Sequence, residues 1–283
     1  MRNVNESSIT QAVVASFDGA ADPRFRQIID SLTRHLHAFA REVKLTPQEW
    51  KAGIDFLYRA GKISDEKRNE FILTSDVLGL SSLVDMLQSD PGATERSALG
   101  PFHSKGSPPL AVGGDLKQDN AGEPLLVHGR VLDEGGKPVA GAQLDFWQAA
   151  VNGKYWQQDP AQDPHNLRFR MTTSDDGVYA FTTVQPAPYS VPYDGPVGDL
   201  LRAGGRHAWR PAHFHFIVGA AGFRALTTEV FFAGDPYLDG DAIFGVRESL
   251  VVNVAANRDA ALAKRYNLAA PFNSVTFDFR LGR

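Results

Sequence analysis

From Ile28 to Val43 the apolar residues of this chain return every three or four positions, and after residue 123 they return every second one. The first spacing marks one face of an α-helix, the second a half-buried β-strand. Ile28, Ile29, Leu32, Leu36, Phe39 and Val43 predict a helix over "PRFRQIIDSLTRHLHAFAREV". In "TPQEW" Thr46 is an N-cap, Pro47 stands at the first helical position and Glu49 closes a capping box. That helix is expected to reach about Ala60 and to stop at Gly61. A further helix is predicted from near Ser64 and continues through "SDVLGLSSLVDMLQ" to about residue 89. The stretch "SDPGATERSALGPFHSKGSPPLAVGGD" is then a connector rich in Gly, Pro and Ser; loops of that length are uncommon in compact domains unless functional or disordered.

The two-residue period begins with "LLVHGRVLDEGGKPVAGAQLDFWQA", which reads as strand, Gly-containing turn, strand. "RMTTSDDGVYAFTTV" repeats the pattern with Asp176-Gly177 in the turn. "AHFHFIV", "LTTEVFFA", "SLVVNV" and "SVTFDFRL" are further strands. The pattern predicts an α+β chain: a helical N-terminal domain over residues 1–95, then an antiparallel β-sandwich over residues 96–283.

Composition narrows the chemistry. The 283 residues are 43% hydrophobic and 22% charged, which suits a soluble globular protein. A net charge of -4 leaves no overall basic field for nucleic acid or anionic lipid. No run approaches the ~18 apolar residues of a membrane span, and the N-terminus lacks the apolar stretch of a signal peptide. A cytoplasmic location without membrane insertion is the expectation. Cysteine is absent, which excludes disulfides, thiolate nucleophiles, zinc–thiolate sites and iron–sulfur clusters. Any metal must be held by nitrogen and oxygen.

The segment "RPAHFHFIVGA" places two histidines in a strand. Side chains alternate, so His213, His215 and Ile217 share one face and Phe214, Phe216 and Val218 the other. Neighbours on one face are roughly 6.5–7 Å apart at Cα, within reach of one ion. Spacing alone leaves two readings open, a metal site or a hydrogen-bonded core pair. His35 and His37 fall about 200° apart around their helix and do not face one ion. Asp235, Asp239 and Asp241 lie in "AGDPYLDGDAIFG", a turn sequence without EF-hand spacing. Tyr155, in "WQAAVNGKYW", and Tyr189, in "QPAPYSVPYDGP", occupy loops between strands, where functional groups concentrate. Phenolate is a hard oxygen ligand that suits ferric iron better than zinc. From spacing alone each tyrosine is either a ligand or a packed aromatic. A zinc hydrolase or lyase and a metal-free binding module are compatible with the residues taken singly.

Four separated segments resemble the intradiol ring-cleaving dioxygenases: "FWQAAVNGKYW", "PAPYSVPYDGPVGDLL", "GRHAWRPAHFHF" and "LTTEVFFAGDPYLDGDAIFGV". The resemblance covers nearly the whole chain. It implies one ferric iron per subunit held by Tyr155, Tyr189, His213 and His215, with Tyr189 and His215 as the axial pair. It implies an aromatic diol and O₂ as substrates, with Tyr189 accepting a proton from the diol and Arg210 stabilising developing negative charge. It also implies a homodimer formed through the N-terminal helices, with a phospholipid or fatty-acyl chain as a further ligand between the subunits.

Within that family "LGPFH", "YSVPYDGPVGDLL" and "DPYLDGDAIFGVRESL" look most like the branch that cleaves hydroxyquinol to 3-hydroxy-cis,cis-muconate, the tautomer of maleylacetate. Catechol and chlorocatechol, giving cis,cis-muconates, are the alternative substrates. Asp85, Gly100, Pro101, Phe102, Val191, Pro192 and Ile243 are the expected pocket residues, with Asp85 reaching the third hydroxyl. Glu229, placed with the catalytic group, is a departure: the catechol branch carries glutamine there and the hydroxyquinol pattern histidine.

Overall fold

The computed structural model describes residues 3–65 and 68–283. Two compact units divide the chain, Met1–Tyr58 and Arg59–Arg283. In the first, α1 (Ile9–Ala15) is followed by α2 (Pro23–Glu42), whose N-cap Asp22 accepts from the Arg24 amide. Arg41 and His37 of α2 both hydrogen bond Thr10 of α1. The capping box opens α3 (Pro47–Ile63): Glu49 N–H donates to the Thr46 hydroxyl, and Thr46 N–H donates to Glu49 Oε2. The helix runs through Gly61 instead of stopping there, since one glycine costs a helix only about 1 kcal/mol. It ends where the Ser64 hydroxyl donates to the Ala60 carbonyl.

The helix expected from Ser64 starts later, as α4 (Glu70–Val77), because Asn69 Oδ1 caps the amides of Phe71 and Ile72. Glu66 and Lys67, which the expectation included, lie outside the described residues. The run expected to continue to residue 89 breaks after α4. Gly79 takes φ +74°, a left-handed conformation that glycine adopts freely, and α5 (Leu80–Leu87) begins in a new direction.

The strands are β1 (Gly114–Asp115), β2 (Pro124–Asp133), β3 (Gln143–Gln148), β4 (Arg168–Thr172), β5 (Val178–Val184) and β6 (Tyr189–Ser190). After α6 (Pro196–Ala203) come β7 (Trp209–Arg210), β8 (His213–Gly219), β9 (Leu226–Phe232), β10 (Val251–Val252) and β11 (Ala255–Asn257). Then α7 (Ala260–Arg265) leads to β12 (Phe272–Thr276) and β13 (Phe279–Leu281). Among the described residues one sheet has the order β1-β5-β2-β12-β11, with β13 also on β2, and the facing sheet β10-β9-β8-β3-β4. The long pairings β2–β5, β3–β4, β3–β8 and β8–β9 are antiparallel; the short strands β1, β10, β12 and β13 add in parallel. The turn after β2 folds back through a single antiparallel bridge, Leu132 with Pro138, but neither segment pairs its two named strands with each other. β2 and β3 lie in different sheets, as do β4 and β5, so each turn carries the chain across the sandwich.

The core between the sheets is aromatic. Phe146 lies with its ring centroid 4.7–5.3 Å from those of Phe169, Phe181, Phe214 and Phe216. Phe214, Phe216 and Val218 of β8 all point into it, which turns His213 and His215 to the outer face of the same strand. Among the described residues no helix is long and apolar enough to cross a membrane. Phe146→Ala should lower stability by about 3–5 kcal/mol in denaturant unfolding, because its ring is fully buried among four others; a loss below about 1 kcal/mol would show that the sandwich does not close on this residue.

Candidate metal centre

Four segments converge on the outer face of β8. Tyr155 follows a turn in which the Gly153 amide donates to the Ala150 carbonyl, and its own amide donates to Gln158 Oε1. A side chain on Gly153 would press against Tyr189 Cβ at 3.1 Å, so the glycine lets the two tyrosine loops approach. Tyr189 pairs with Arg210 across the β6–β7 ladder, and three residues later β8 begins with His213.

The polar ends of these side chains meet. Tyr155 Oη lies 3.0 Å from His215 Nε2 and 3.5 Å from Tyr189 Oη. Tyr189 Oη is 3.4 Å from His213 Nε2, and the two Nε2 atoms are 3.1 Å apart. All four residues are buried. His213 Nδ1 donates to the Pro211 carbonyl at 2.7 Å, which leaves Nε2 as the bare lone pair facing the cluster. Burial, with Arg210 adding to it, pushes His213 down to about 4, and burial holds His215 well below the usual imidazole range. Both rings are therefore neutral donors. Burial raises both phenols above 10, Tyr155 strongly, with Tyr189 adding to its rise. Two imidazole lone pairs and two phenols packed this closely suit a hard, strongly acidic cation, which turns the phenols into phenolates.

The surroundings hold this geometry. Trp147 stacks on His215 with centroids 4.9 Å apart and planes within 4°. Phe102 stacks on Tyr155 at 4.5 Å. The connector that carries Phe102 is pinned to the sheet: Gln157 donates to the Phe102 carbonyl, Arg168 to Ser104 Oγ, and Ser107 to Asp145. Gly100, at φ +70°, passes so close that a Cβ there would stand 2.9 Å from His215 Cε1. Arg210 is buried between two carboxylates. Its Nε and Nη2 donate to Asp241 at 2.9 and 3.0 Å, and its Nη1 and Nη2 donate to Glu229 at 2.7 and 3.0 Å. Nη1 also lies 3.1 Å from His213 Nε2. Burial, the largest single influence, would raise the Glu229 carboxyl, but Arg210 and the two neighbouring imidazoles together outweigh it and hold the carboxyl well below the usual range.

A cavity of about 370 Å³ is lined by Pro101, Phe102, Val191 and Pro192 together with Leu73 and Asp76 of α4. Phe102 belongs both to this cavity and to the cluster around Tyr155 and Tyr189. Asp85 and Ile243 do not line it; Asp85 is half-buried on α5, and Ile243 is buried beside Asp241. The acid on the wall is Asp76, buried and raised above the usual carboxyl range mainly by desolvation. The sequence pattern, read as one helix from near Ser64 to about residue 89, gives Asp76 no distinguishing place. The signal was the i, i+3 pair Leu73 and Asp76 just before Gly79. His35 is exposed and His37 bonds Thr10, so neither joins the cluster.

Residues 104–283 match the family model described as "Dioxygenase", and residues 22–95 match "Catechol dioxygenase N terminus". A 6-chlorohydroxyquinol 1,2-dioxygenase of Cupriavidus pinatubonensis is 49% identical over 253 residues, 89% of this chain and 92% of that protein. A hydroxyquinol 1,2-dioxygenase of a Rhizobium species is 44% identical over 98% of this chain and 96% of its own length. Among solved structures, hydroxyquinol 1,2-dioxygenase from Pseudomonas putida DLL-E4 superposes with a TM-score of 0.89 at 47% identity, covering 98% of each chain. Catechol 1,2-dioxygenase from Pseudomonas arvilla C-1 gives 0.82 at 32% identity, covering 99% of this chain and 92% of that one. With both parts of the chain matched and its fold shared over nearly every residue, this protein belongs to the intradiol ring-cleavage dioxygenases.

Proposed function

We propose that the protein cleaves hydroxyquinol with O₂ between its two adjacent hydroxylated carbons, giving 3-hydroxy-cis,cis-muconate, at one ferric ion per chain. The observation that carries this reading is the approach of two phenol oxygens and two imidazole nitrogens to within 3.0–3.5 Å of a neighbour, beside a cavity that shares Phe102 with them. Tyr155, Tyr189, His213 and His215 would hold the iron. When bound, iron supplies a Lewis-acid centre that takes up the diol deprotonated and makes its ring reactive towards O₂. Both oxygen atoms enter the product, so no external reductant is consumed.

The chain's own groups do the remainder. Phe102, Val191 and Pro192 form apolar walls that position the ring and exclude water. Tyr189, beside Tyr155 and His213 in the cluster, would accept a proton from the diol. Arg210 directs one Nη1 N–H towards the cluster, and its other N–H groups are occupied by Glu229 and Asp241; that fixed donor stabilises negative charge developing on the substrate. Asp76, in the place expected for Asp85, accepts a hydrogen bond from the third hydroxyl. The names of the relatives similar over the whole chain support the same substrate.

Oxygen uptake on a panel of diols tests the substrate. The specificity constant for hydroxyquinol should exceed that for catechol by at least about tenfold, and Asp76→Ala should shrink the ratio, because a buried acid left unmatched penalises the analogue. Catechol turned over equally well or better by the wild type would reject this substrate and leave the ligand set untouched. The ligand set has its own test. The iron-loaded protein should show a visible tyrosinate band, and His213→Ala should lose most of its iron. Full occupancy in that variant would make the histidine structural.

We further infer a homodimer built through the N-terminal helices. Ile28, Leu32, Leu36 and Phe39 of α2 and Trp50 and Leu57 of α3 are exposed. Exposed apolar faces of this extent mark interaction surfaces. A second copy covers them, with the acyl chain of a phospholipid as a further ligand between the copies. Sedimentation should give a dimer at micromolar concentration and an organic extract should contain lipid; an active monomer would overturn the dimer.

A further inference from the structure

The register of the second sheet sets a carboxylate beside both histidines, close to Nε2 of His213 and to Nδ1 of His215. β9 pairs with β8 so that Glu229 lies opposite His215, and residues directly opposite share a face. Glu229 is fully buried, and both of its oxygens are engaged. Oε1 accepts from Arg210 Nη1; Oε2 accepts from Arg210 Nη2 and, at 2.7 Å, from the Ser97 hydroxyl. Gly245 seals the group from above: a Cβ there would stand 2.8 Å from Glu229 Oε2 and 2.7 Å from Arg210 Nη2. Thus held, Glu229 Oε1 lies 3.4 Å from His213 Nε2 and 3.4 Å from His215 Nδ1.

Among the described residues His215 Nδ1 is buried without a hydrogen bond of good geometry, and the Ala98 carbonyl is close enough to favour a proton on the ring. With Nε2 turned to a cation, the ring's single proton must sit on Nδ1, where it needs an acceptor. The oxygens at hand are Glu229 Oε1 and the Ala98 carbonyl. A carboxylate is the stronger acceptor of the two. Among the described residues no other carboxylate lies this close to a ligand of the proposed iron, since Asp241 holds the opposite edge of the same guanidinium.

We propose that Glu229 is a positioning residue for the metal: it takes the hydrogen bond of His215 Nδ1 and strengthens Nε2 as a donor, while the same carboxylate aims Arg210. The inference rests on the ferric-site reading above. A carboxylate behind a ligating imidazole fixes the ring's tautomer and orientation and raises its basicity. It thereby tightens the hold on the metal and favours the ferric over the ferrous state. Substitution at this position then changes the electron demand of the metal as well as the placement of the arginine.

Glu229→Gln keeps the shape and an acceptor oxygen and removes the charge. Its iron affinity, read by competition with a chelator, should fall roughly 10- to 100-fold. Its tyrosinate band should move to longer wavelength and its reduction potential should rise. Asp241→Asn, which removes an equal charge from the other edge of Arg210, should keep the affinity and colour of the wild type while losing turnover. Wild-type affinity and colour in Glu229→Gln would overturn the proposal. So would equal losses in both variants, because the effect would then belong to the arginine clamp. A measurement on the wild type needs no variant: loaded with diamagnetic Ga(III), it should show a His215 Nδ1–H resonance far downfield and protected from exchange. A rapidly exchanging proton without that shift also overturns the proposal. An iron-loaded wild type lacking any tyrosinate band would remove the ferric reading itself, an outcome seen before any variant is compared.

Discussion

Two phenols and two imidazoles packed head to head are the constraint around which the rest of this molecule is arranged. Their polar atoms stand 3.0–3.5 Å apart in a buried pocket. Left to themselves such groups lose solvation and gain only a few long hydrogen bonds. A cation would reverse the balance, because burial keeps both imidazoles neutral and a hard ion would stabilise the phenolates. Each surrounding feature serves to keep the four groups convergent. The phenylalanine core fixes the rotation of β8, Trp147 lies flat on His215, and the glycines at 100 and 153 let backbone approach where a side chain would push a ligand away.

The charges beside the cluster have the same dependence on place. Arg210, Glu229 and Asp241 are all buried, and a guanidinium there is stable only when its donors are matched. Two forks of carboxylate match nearly all of them and leave one N–H directed at His213. The arrangement gives a fixed dipole at the site where negative charge would develop. Such a dipole needs no reorganisation during reaction, which is the source of its effect.

The local pattern was legible where neighbours in sequence decide it. The alternation of His213, Phe214, His215, Phe216 places imidazoles on one face and rings in the core because a strand has a period of two. The box of Thr46 and Glu49 starts α3 because both partners lie within one turn. Legibility failed where a distant group intervened. The break between α4 and α5 depends on Gly79 adopting a left-handed φ, and sequence periodicity runs straight across it. That break turns Asp76 towards the cavity and leaves Asp85 off its wall.

What the sequence by itself determined is the face each residue takes within its own element, together with a cysteine-free set of nitrogen and oxygen donors. Periodicity and hydrogen bonding within a few residues settle those matters. Tertiary structure alone decided which elements meet. The chain crosses between sheets after β2 and after β4, where local pattern reads only as strand, turn, strand, and β9 takes the register that sets Glu229 opposite His215. The reason is the range of the forces. A turn's sequence is indifferent to which sheet follows, and the choice comes from burying both apolar faces in one core. The site exists only after that choice, since Tyr155, Tyr189, His213 and Glu229 come from separate segments that the sandwich brings together.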